Sequence, residues 1–516
     1  MQSGVTTNKW VVAVLVSAGV FIALLDTTIV DIVLPKMMAA METDIYGIQW
    51  VVITYFLGAA IAMTAVGWAS DVAGHRNTYI FGIILFVIMS TVAGLASSLE
   101  MMLFARFFQG IAEGIMMPVG LLILYESFPP DQRGLAMGVY GISASFAPAL
   151  GPTLGGLLTE VLNWRWVFFI NIPVGLIDVI LIGWLMRNVL PKERPPRFDF
   201  VGFGLASTAL SALIVLLGKG QEYGWLHSDT ILTLLVVFVV SGVAAAVWMA
   251  WAREPLFPRR VMAHQPFRLS IWAMMLFSIT AYGFFFLLPI YLQQIHGYTT
   301  FQSGLILLPG ALFAGMATLL SGLLSDRFNP KAVAAVSLLG AAVASWVFHT
   351  NVDTARGVLY LDYIFWGFFI GGAFAPITLL ALSTLEERDF ANGSTLVNVA
   401  RLVAGSLGTS YATSILSVKK DTFYEALSGS LTWSSPGLSE LMARLQPYAG
   451  GQAQPFDPDL WTLLMAQAKQ LITLRASSYA FEAAYEYLAL FPVAALILVA
   501  LVRMAAGRKG IKAPVH

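Results

Sequence analysis

The sequence predicts an all-α polytopic membrane protein of fourteen spans, and three observations predict it. Of the 516 residues, 58% are hydrophobic and only 11% charged, with a mean hydropathy of +0.77; a soluble chain carries roughly 25% charged residues. Apolar runs of about 20 residues, each able to cross ~30 Å of hydrocarbon, recur along almost the whole length. The basic residues fall between those runs on alternate sides, as threading through a bilayer requires.

In chain order the runs place spans at 11–35, 48–70, 78–97, 101–125, 135–158, 167–187, 201–218, 230–252, 269–292, 302–324, 332–349, 358–384, 393–417 and 481–503. Lys36, Arg165, Lys219 and Arg356 mark breaks on one side: after the first, fifth, seventh and eleventh spans. On the other side the breaks carry Arg76, Arg133, the stretch Arg187 to Arg197, the stretch Arg253 to Arg268, Arg327 with Lys331, and Arg388. Lys9 and the residues from Arg503 onward lie on that side too, giving 18 basic residues against 4. The excess predicts that both termini are cytoplasmic. The first run, from Trp10, is too long for a signal peptide and lacks a small-residue cleavage site. A long outer segment, 418–480, includes "WTLLMAQAKQLITL" (461–474), whose apolar spacing is that of an amphipathic helix.

The composition also excludes. Without cysteine there is no disulfide, thiolate metal site or thiol nucleophile. The six histidines show no ligand spacing and no Walker-type phosphate loop occurs, so neither a metal, another cofactor nor ATP is expected. No basic tract with interleaved aromatics suggests nucleic acid. An integral-membrane enzyme is disfavoured on the same grounds, and a non-transporting receptor by the absence of an appended signalling domain.

The chain repeats itself. "GWASDVAGHR" (67–76) and "GLLSDRFNPK" (322–331) both read Gly-x-x-Ser-Asp with a basic residue five positions beyond the Asp, and Pro118 and Gly151 recur as Pro376 and Gly408 at a similar displacement. Two homologous six-helix bundles, 1–188 and 266–516, with two helices inserted between them (189–265), account for this. Such repeats around a central site are a transporter architecture.

These motifs resemble those of the major facilitator superfamily. "GWASDVAGHRNTY" is similar to its loop 2–3 signature, "LFARFFQGIAEG" (103–114) to its fourth-helix signature, and "GISASFAPALGPTLGG" (141–156) to the fifth-helix motif of its antiporters. "LDTTIVDIVLP" (25–35), "NWRWVFFINIPVG" (163–175) and "RFDFVG" (197–202) narrow the resemblance to fourteen-helix drug/proton antiporters of the EmrB/QacA type. One departure stands out: Asp31 occupies a position where that first-helix motif usually has Asn. The resemblance implies the major facilitator fold, proton-coupled efflux of hydrophobic, often cationic drugs across a bacterial inner membrane, and a periplasmic adaptor with an outer-membrane channel as partners of the 418–480 segment. That segment could equally be a lid over the outer mouth.

Ionisable residues within hydrocarbon are costly and mark function. Asp26 and Asp31 in the first span and Arg106 in the fourth reach a comparable depth, so an Asp31–Arg106 ion pair is one expectation. Two carboxylates against one guanidinium leave a surplus acid, and a surplus acid is a proton carrier. Arg106, Gln109 and Glu113 fall on one helical stripe. Glu113, near mid-membrane, is the carboxyl at which a drug cation and a proton would compete. Tyr282, Phe284, Phe285, Phe286 and Tyr291 of the ninth span and Arg401 are candidate cavity residues, Tyr282, Phe286 and Arg401 foremost; Arg401 or Arg106 would face the ligand if the substrates were anionic amphiphiles such as fatty acids or bile salts. Asp178 and Asp362 are weaker candidates. Asp71, Arg76, Glu126 and Arg133, with counterparts Asp326, Lys331 and Arg388, are expected to form charge clusters that gate the inner end. The resemblance assigns Gly141, Pro148, Gly151, Pro152, Gly155 and Gly156 to sealing the two halves; by chemistry alone they give close packing and a bend.

Overall fold

The computed structural model describes residues 8–186, 197–220, 222–252, 255–256, 259–386, 389–429 and 458–502, and among these there is no strand. The helices are α1 (Lys9–Ala40), α2 (Ile45–Ala73), α3 (His75–Leu95), α4 (Leu99–Ser127), α5 (Arg133–Val161), α6 (Trp166–Phe169), α7 (Asn171–Leu185), α8 (Phe200–Lys219), α9 (Asp229–Trp251), α10 (Arg259–Ala263), α11 (Gln265–Gln294), α12 (Thr300–Arg327), α13 (Pro330–Trp346), α14 (Arg356–Leu382), α15 (Phe390–Gly429) and α16 (Pro458–Leu501). Every expected span falls on one of them, the sixth on α6 and α7 together. Among the described residues, 11 helices are long and apolar enough to cross a membrane, or 12 with the bent α5.

The starts are set by side chains that accept from otherwise unpaired first-turn amides. Asn8, Asp44, Ser98 and Asp199 accept from Trp10, Gly47, Met101 and Gly202, and Thr299 with Gln302 forms a capping box. Within a half, helices close on glycine. A methyl group at Gly110 or Gly114 of α4 would run into the carbonyls of Tyr55 and Ala59 on α2; Gly367 and Gly371 of α14 stand likewise against Gly310 and Ala314 on α12.

The halves meet along α5 and α12. Gly134 lies against the Gly322 carbonyl at one end and Thr153 against Gly304 toward the other. α5 bends by 46° between Pro148 and Thr153, as the prolines lead one to expect. The inserted α8 packs on both α2 and α15. Thr64 and Ser207 hydroxyls are 3.0 Å apart, Ser410 donates to the Leu217 carbonyl at 3.0 Å, and buried Lys219 donates to the Tyr46 carbonyl at 2.8 Å. α9 packs on α8 and leaves most of its surface exposed.

One expectation needs correction. The stretch 461–474 is helical, as its spacing predicts, but the outer segment 418–480 is not loop at either end: 461–474 opens α16, which continues without a break into the last span, and α15 runs past its span to Gly429. The rest of the outer segment, 430–457, lies outside the described residues.

Candidate functional site

Five helices of the first half converge on Asp26, which is completely buried in α1. Its Oδ2 is paired with Arg106 Nη1; its Oδ1 accepts from Gln109 Nε2 at 3.0 Å and from Asn171 Nδ2 at 2.7 Å. Gln109 returns its Oε1 to Arg106 at 2.8 Å and donates to Ser90 Oγ at 2.8 Å. Arg106 Nε donates to the Val51 carbonyl at 3.3 Å, and its guanidinium lies 4.0 Å from the Tyr55 ring centroid. Thus α1 and α4 bring the charges, α3 and α7 bring Ser90 and Asn171, and α2 brings a carbonyl and a ring. A buried ion pair is tolerable only when its remaining donors and lone pairs are also satisfied; here both Asp26 oxygens and the Nε and Nη1 groups of Arg106 are engaged.

The expected stripe of Arg106, Gln109 and Glu113 is present, all three buried on α4. The expected Asp31–Arg106 pair is not: Arg106 takes Asp26, and Asp31 is exposed. Five residues advance a helix by well over one turn, which carries Asp31 about 140° round from Asp26. Depth alone pointed to the pair; azimuth decides against it. Asp31 still lies within the electrostatic reach of Arg106.

Glu113 sits at the inner edge of this cluster. Its Oε2 has no hydrogen-bond partner, and Arg401 from the other half lies within electrostatic reach of it, as does Arg106. Arg401 of α15 helps line a cleft with Ala144 and Pro148 of α5, Phe277, Ser278, Ala281, Tyr282 and Phe285 of α11, and Ile370, Gly371 and Phe374 of α14. Its guanidinium is 5.7 Å from the Phe374 ring. Tyr282 and Arg401 are therefore where the sequence led one to expect them. Phe286 is not: it is 37% exposed on the outside of the bundle, and its neighbour Phe285 faces the cleft, one residue being a 100° turn.

At the basic end several of the basic side chains expected in charge clusters turn to carbonyls and rings. Arg76 donates to the carbonyls of Ile182 and Gly183 at the end of α7, Glu126 stands 3.6 Å from His75, and Arg133 stacks over Tyr125 and Phe390 at 4.4 and 5.2 Å. Lys331 donates to the Ala500 and Val502 carbonyls, and Arg388 lies outside the described residues. Asp326 makes a further charged contact between the halves, accepting from the amides of Gly134 and Leu135 at 2.7 and 2.8 Å. A carboxylate there caps the first turn of α5 and meets its dipole. Sequence reasoning also missed Arg260, whose Nε pairs with buried Asp389 at 2.7 Å beside Phe390. Of the antiporter-motif residues, Gly141 and Gly156 lie where α5 meets α12, and Gly151 lies against Thr28 of α1. Asp362 is held at 2.8 Å by His349 at the far end of α14.

The sequence model of the family described as Major Facilitator Superfamily matches residues 16–409. The chain is 27% identical to the multidrug export protein EmrB of Escherichia coli K12, over 86% of this chain and 87% of that one. It is 30% identical to the tetracenomycin C resistance and export protein of Streptomyces glaucescens, over 79% and 76%. Its fold is that of the human organic anion transporter MFSD10, with a TM-score of 0.58 at 14% identity, covering 95% and 99% of the two chains.

Proposed function

Because the chain belongs to the major facilitator superfamily and is a membrane transporter, we propose that it exports hydrophobic, often cationic compounds across a bacterial inner membrane in exchange for protons, with both termini cytoplasmic. The supporting observation is an imbalance: one arginine, Arg106, is committed to Asp26, while Glu113 keeps an unpartnered oxygen and Asp31 stays open to its surroundings.

The mechanism follows from charge. A carboxyl buried without a fixed cation is held neutral by a proton, because an uncompensated charge in hydrocarbon is costly. A lipophilic cation entering between Phe374, Tyr282 and Phe285 brings the positive charge that Glu113 lacks, and the Glu113 proton becomes dispensable. Proton and drug then occupy Glu113 in turn. Arg401, reaching toward the same carboxyl from the other half, takes the cation's place when the drug has left. Gating rests on the basic end, where Asp326 on the α5 amides and Arg133 between Tyr125 and Phe390 hold the halves together. Those contacts must part for the cleft to open on that side. The projecting ends of α15 and α16 are the proposed docking surface for a periplasmic adaptor leading to an outer-membrane channel.

The test is drug-induced proton movement in everted vesicles, comparing wild type with Glu113→Gln and Asp26→Asn. Both variants should lose coupled movement. Efflux that survives both, or that ignores a protonophore, would discard the coupling. A second reading has its own observation: the charged group in the cleft wall is a guanidinium. If the substrates are anionic amphiphiles, Arg401→Gln abolishes their transport while Glu113→Gln does not.

A further inference from the structure

A buried acid outside the Asp26 cluster has no part in the mechanism so far. Asp178 of α7 is 2% exposed, and neither of its oxygens has a hydrogen-bond partner. Its surroundings are the antiparallel pair α1 and α7, with α3 beside them. On one level of that pair Asn171 reaches Asp26; seven residues further along each helix, Asp178 faces Gly19. A methyl group at Gly19 would lie 2.8 Å from Asp178 Oδ2 and would overlap the Tyr79 hydroxyl. Tyr79 already donates to the Val16 carbonyl at 2.8 Å, so its proton is engaged. Further toward the basic end, Arg76 of α3 is held on the Ile182 and Gly183 carbonyls, about 7 Å along α7 from Asp178.

The groups that face Asp178 are thus few. From α3 there is Tyr79, with Arg76 beyond it at the helix mouth. From α1 there is no ionisable group on this level, Asp26 being two helical turns away. No cation meets it among the described residues. A carboxylate so placed would be an uncompensated buried charge, so the group carries its proton in this conformation. An acid kept in that condition stabilises nothing that an Asn or Leu would not stabilise better.

We propose that Asp178 is a second proton-holding carboxyl of the transport cycle, the inner station of a route along the α1–α7 seam whose outer station is the Asp26 cluster. The proposal rests on the proton-exchange reading above. In the step it assigns, the O–H bond of the Asp178 acid breaks, the proton passes to water entering from the basic end as the halves part there, and the carboxylate is reloaded from the Asp26 side. Gly19 is the position that leaves room on this seam for the Asp178 carboxyl and the Tyr79 hydroxyl.

The experiment uses proteoliposomes and tetraphenylphosphonium as the probe, measuring exchange of labelled probe at equal pH and its accumulation under a pH gradient. Asp178→Asn has the shape of the neutral acid, so it is expected to keep exchange and lose gradient-driven accumulation. If it accumulates probe as wild type does while Glu113→Gln and Asp26→Asn do not, the inference is overturned and the coupling reading stands. If all three accumulate probe, both fall. Where the Asn chain does not assemble, Asp178→Glu decides. An ionising residue 178 displaces the pH profile of driven transport, whereas an unchanged profile overturns the proposal.

Discussion

Gly110 and Gly114 of α4 lie against the carbonyls of Tyr55 and Ala59; in the second half Gly367 and Gly371 of α14 lie against those of Gly310 and Ala314. The helix contacts are repeated, but what is buried beside them is not. At the displacement that carries Gly110 to Gly367, Arg106 becomes Tyr363, Gln109 becomes Trp366 and Glu113 becomes Ile370. Gln109 donates to Ser90 at 2.8 Å, and Trp366 donates to Ser345 at 3.0 Å. Where Asp26 meets Gln109, Phe284 stacks on Trp366 with centroids 4.2 Å apart, and Tyr485 closes on Phe284 at 4.1 Å. One half fills its centre with a charge network, the other with an aromatic stack. A stack has one protonation state and one good geometry, so it supplies a rigid wall; the network can gain or lose protons. The asymmetry gives the two halves different work on a common frame.

The sharpest way to break this comparison is to remove the charge from each side of it. Arg106→Met leaves Asp26 buried without its cation, and breaking such a pair costs about 3–5 kcal/mol; thermal unfolding of the purified protein should drop steeply and vesicle transport should vanish. Tyr363→Phe, at the matching place, should change stability by less than about 1 kcal/mol and leave transport intact. Equal losses at the two positions would mean that the halves do not differ as described.

The shared frame is tested by the glycines. Gly110→Ala and Gly367→Ala each force a methyl group into an opposing backbone, which costs about 1–3 kcal/mol. The two losses should match, with proton coupling unaltered in the protein that survives. A large difference would show that one half tolerates separation of its helices and the other does not.

Smaller again is the gate. Asp326→Asn keeps an acceptor for only one of the Gly134 and Leu135 amides, turns an NH2 toward the other, and removes the charge that meets the α5 dipole, the charge alone being worth about 0.3–2 kcal/mol. Because that contact joins the halves at one end only, its loss should shift the population toward the state open there. Distances between spin labels on α4 and α15 at the basic end should lengthen; unchanged distances would remove Asp326 from the gate.

How much of this was legible in the sequence follows from what kind of signal each residue sends. Asp26, Arg106 and Glu113 are visible because a charge in an apolar run has a high cost and therefore a reason. Their stripe with Gln109 is visible because a helix fixes azimuth within one element. The partner of Arg106 was not, since choosing Asp26 over Asp31 depends on how α1 is rotated against α4, and no spacing within either helix records that. Asn171 and Ser90 were missed for another reason: neutral polar residues are ordinary in membrane helices, and only the recurrence of Ser90 as Ser345 hints that a donor stands opposite both. Phe285 and Phe286 are adjacent in a run of three phenylalanines, so composition could not choose between them. The basic end was the hardest to read. Arg76, Arg133 and Lys331 go to carbonyls and rings instead of carboxylates, and backbone carbonyls leave no trace in a list of charged residues.

The pair Ser90 and Ser345 offers the finest comparison, because the same atom is removed from both halves. Ser345→Ala deprives the Trp366 indole of its acceptor, and a hydrogen bond in a membrane bundle averages about 0.6 kcal/mol. The stack of Phe284, Trp366 and Tyr363 holds the ring in place regardless, so transport and its pH dependence should not move. Ser90→Ala removes a bond of similar worth from Gln109 and lengthens the leash on Asn171, which lies 3.4 Å from the same hydroxyl. Both amides also donate to Asp26, so the change reaches a group that exchanges protons. The expected result is the same small loss of stability in the two variants, with a displaced pH–transport curve for Ser90→Ala alone. Matching curves would mean that the Asp26 network is as fixed as the aromatic stack, and that the protons are carried elsewhere.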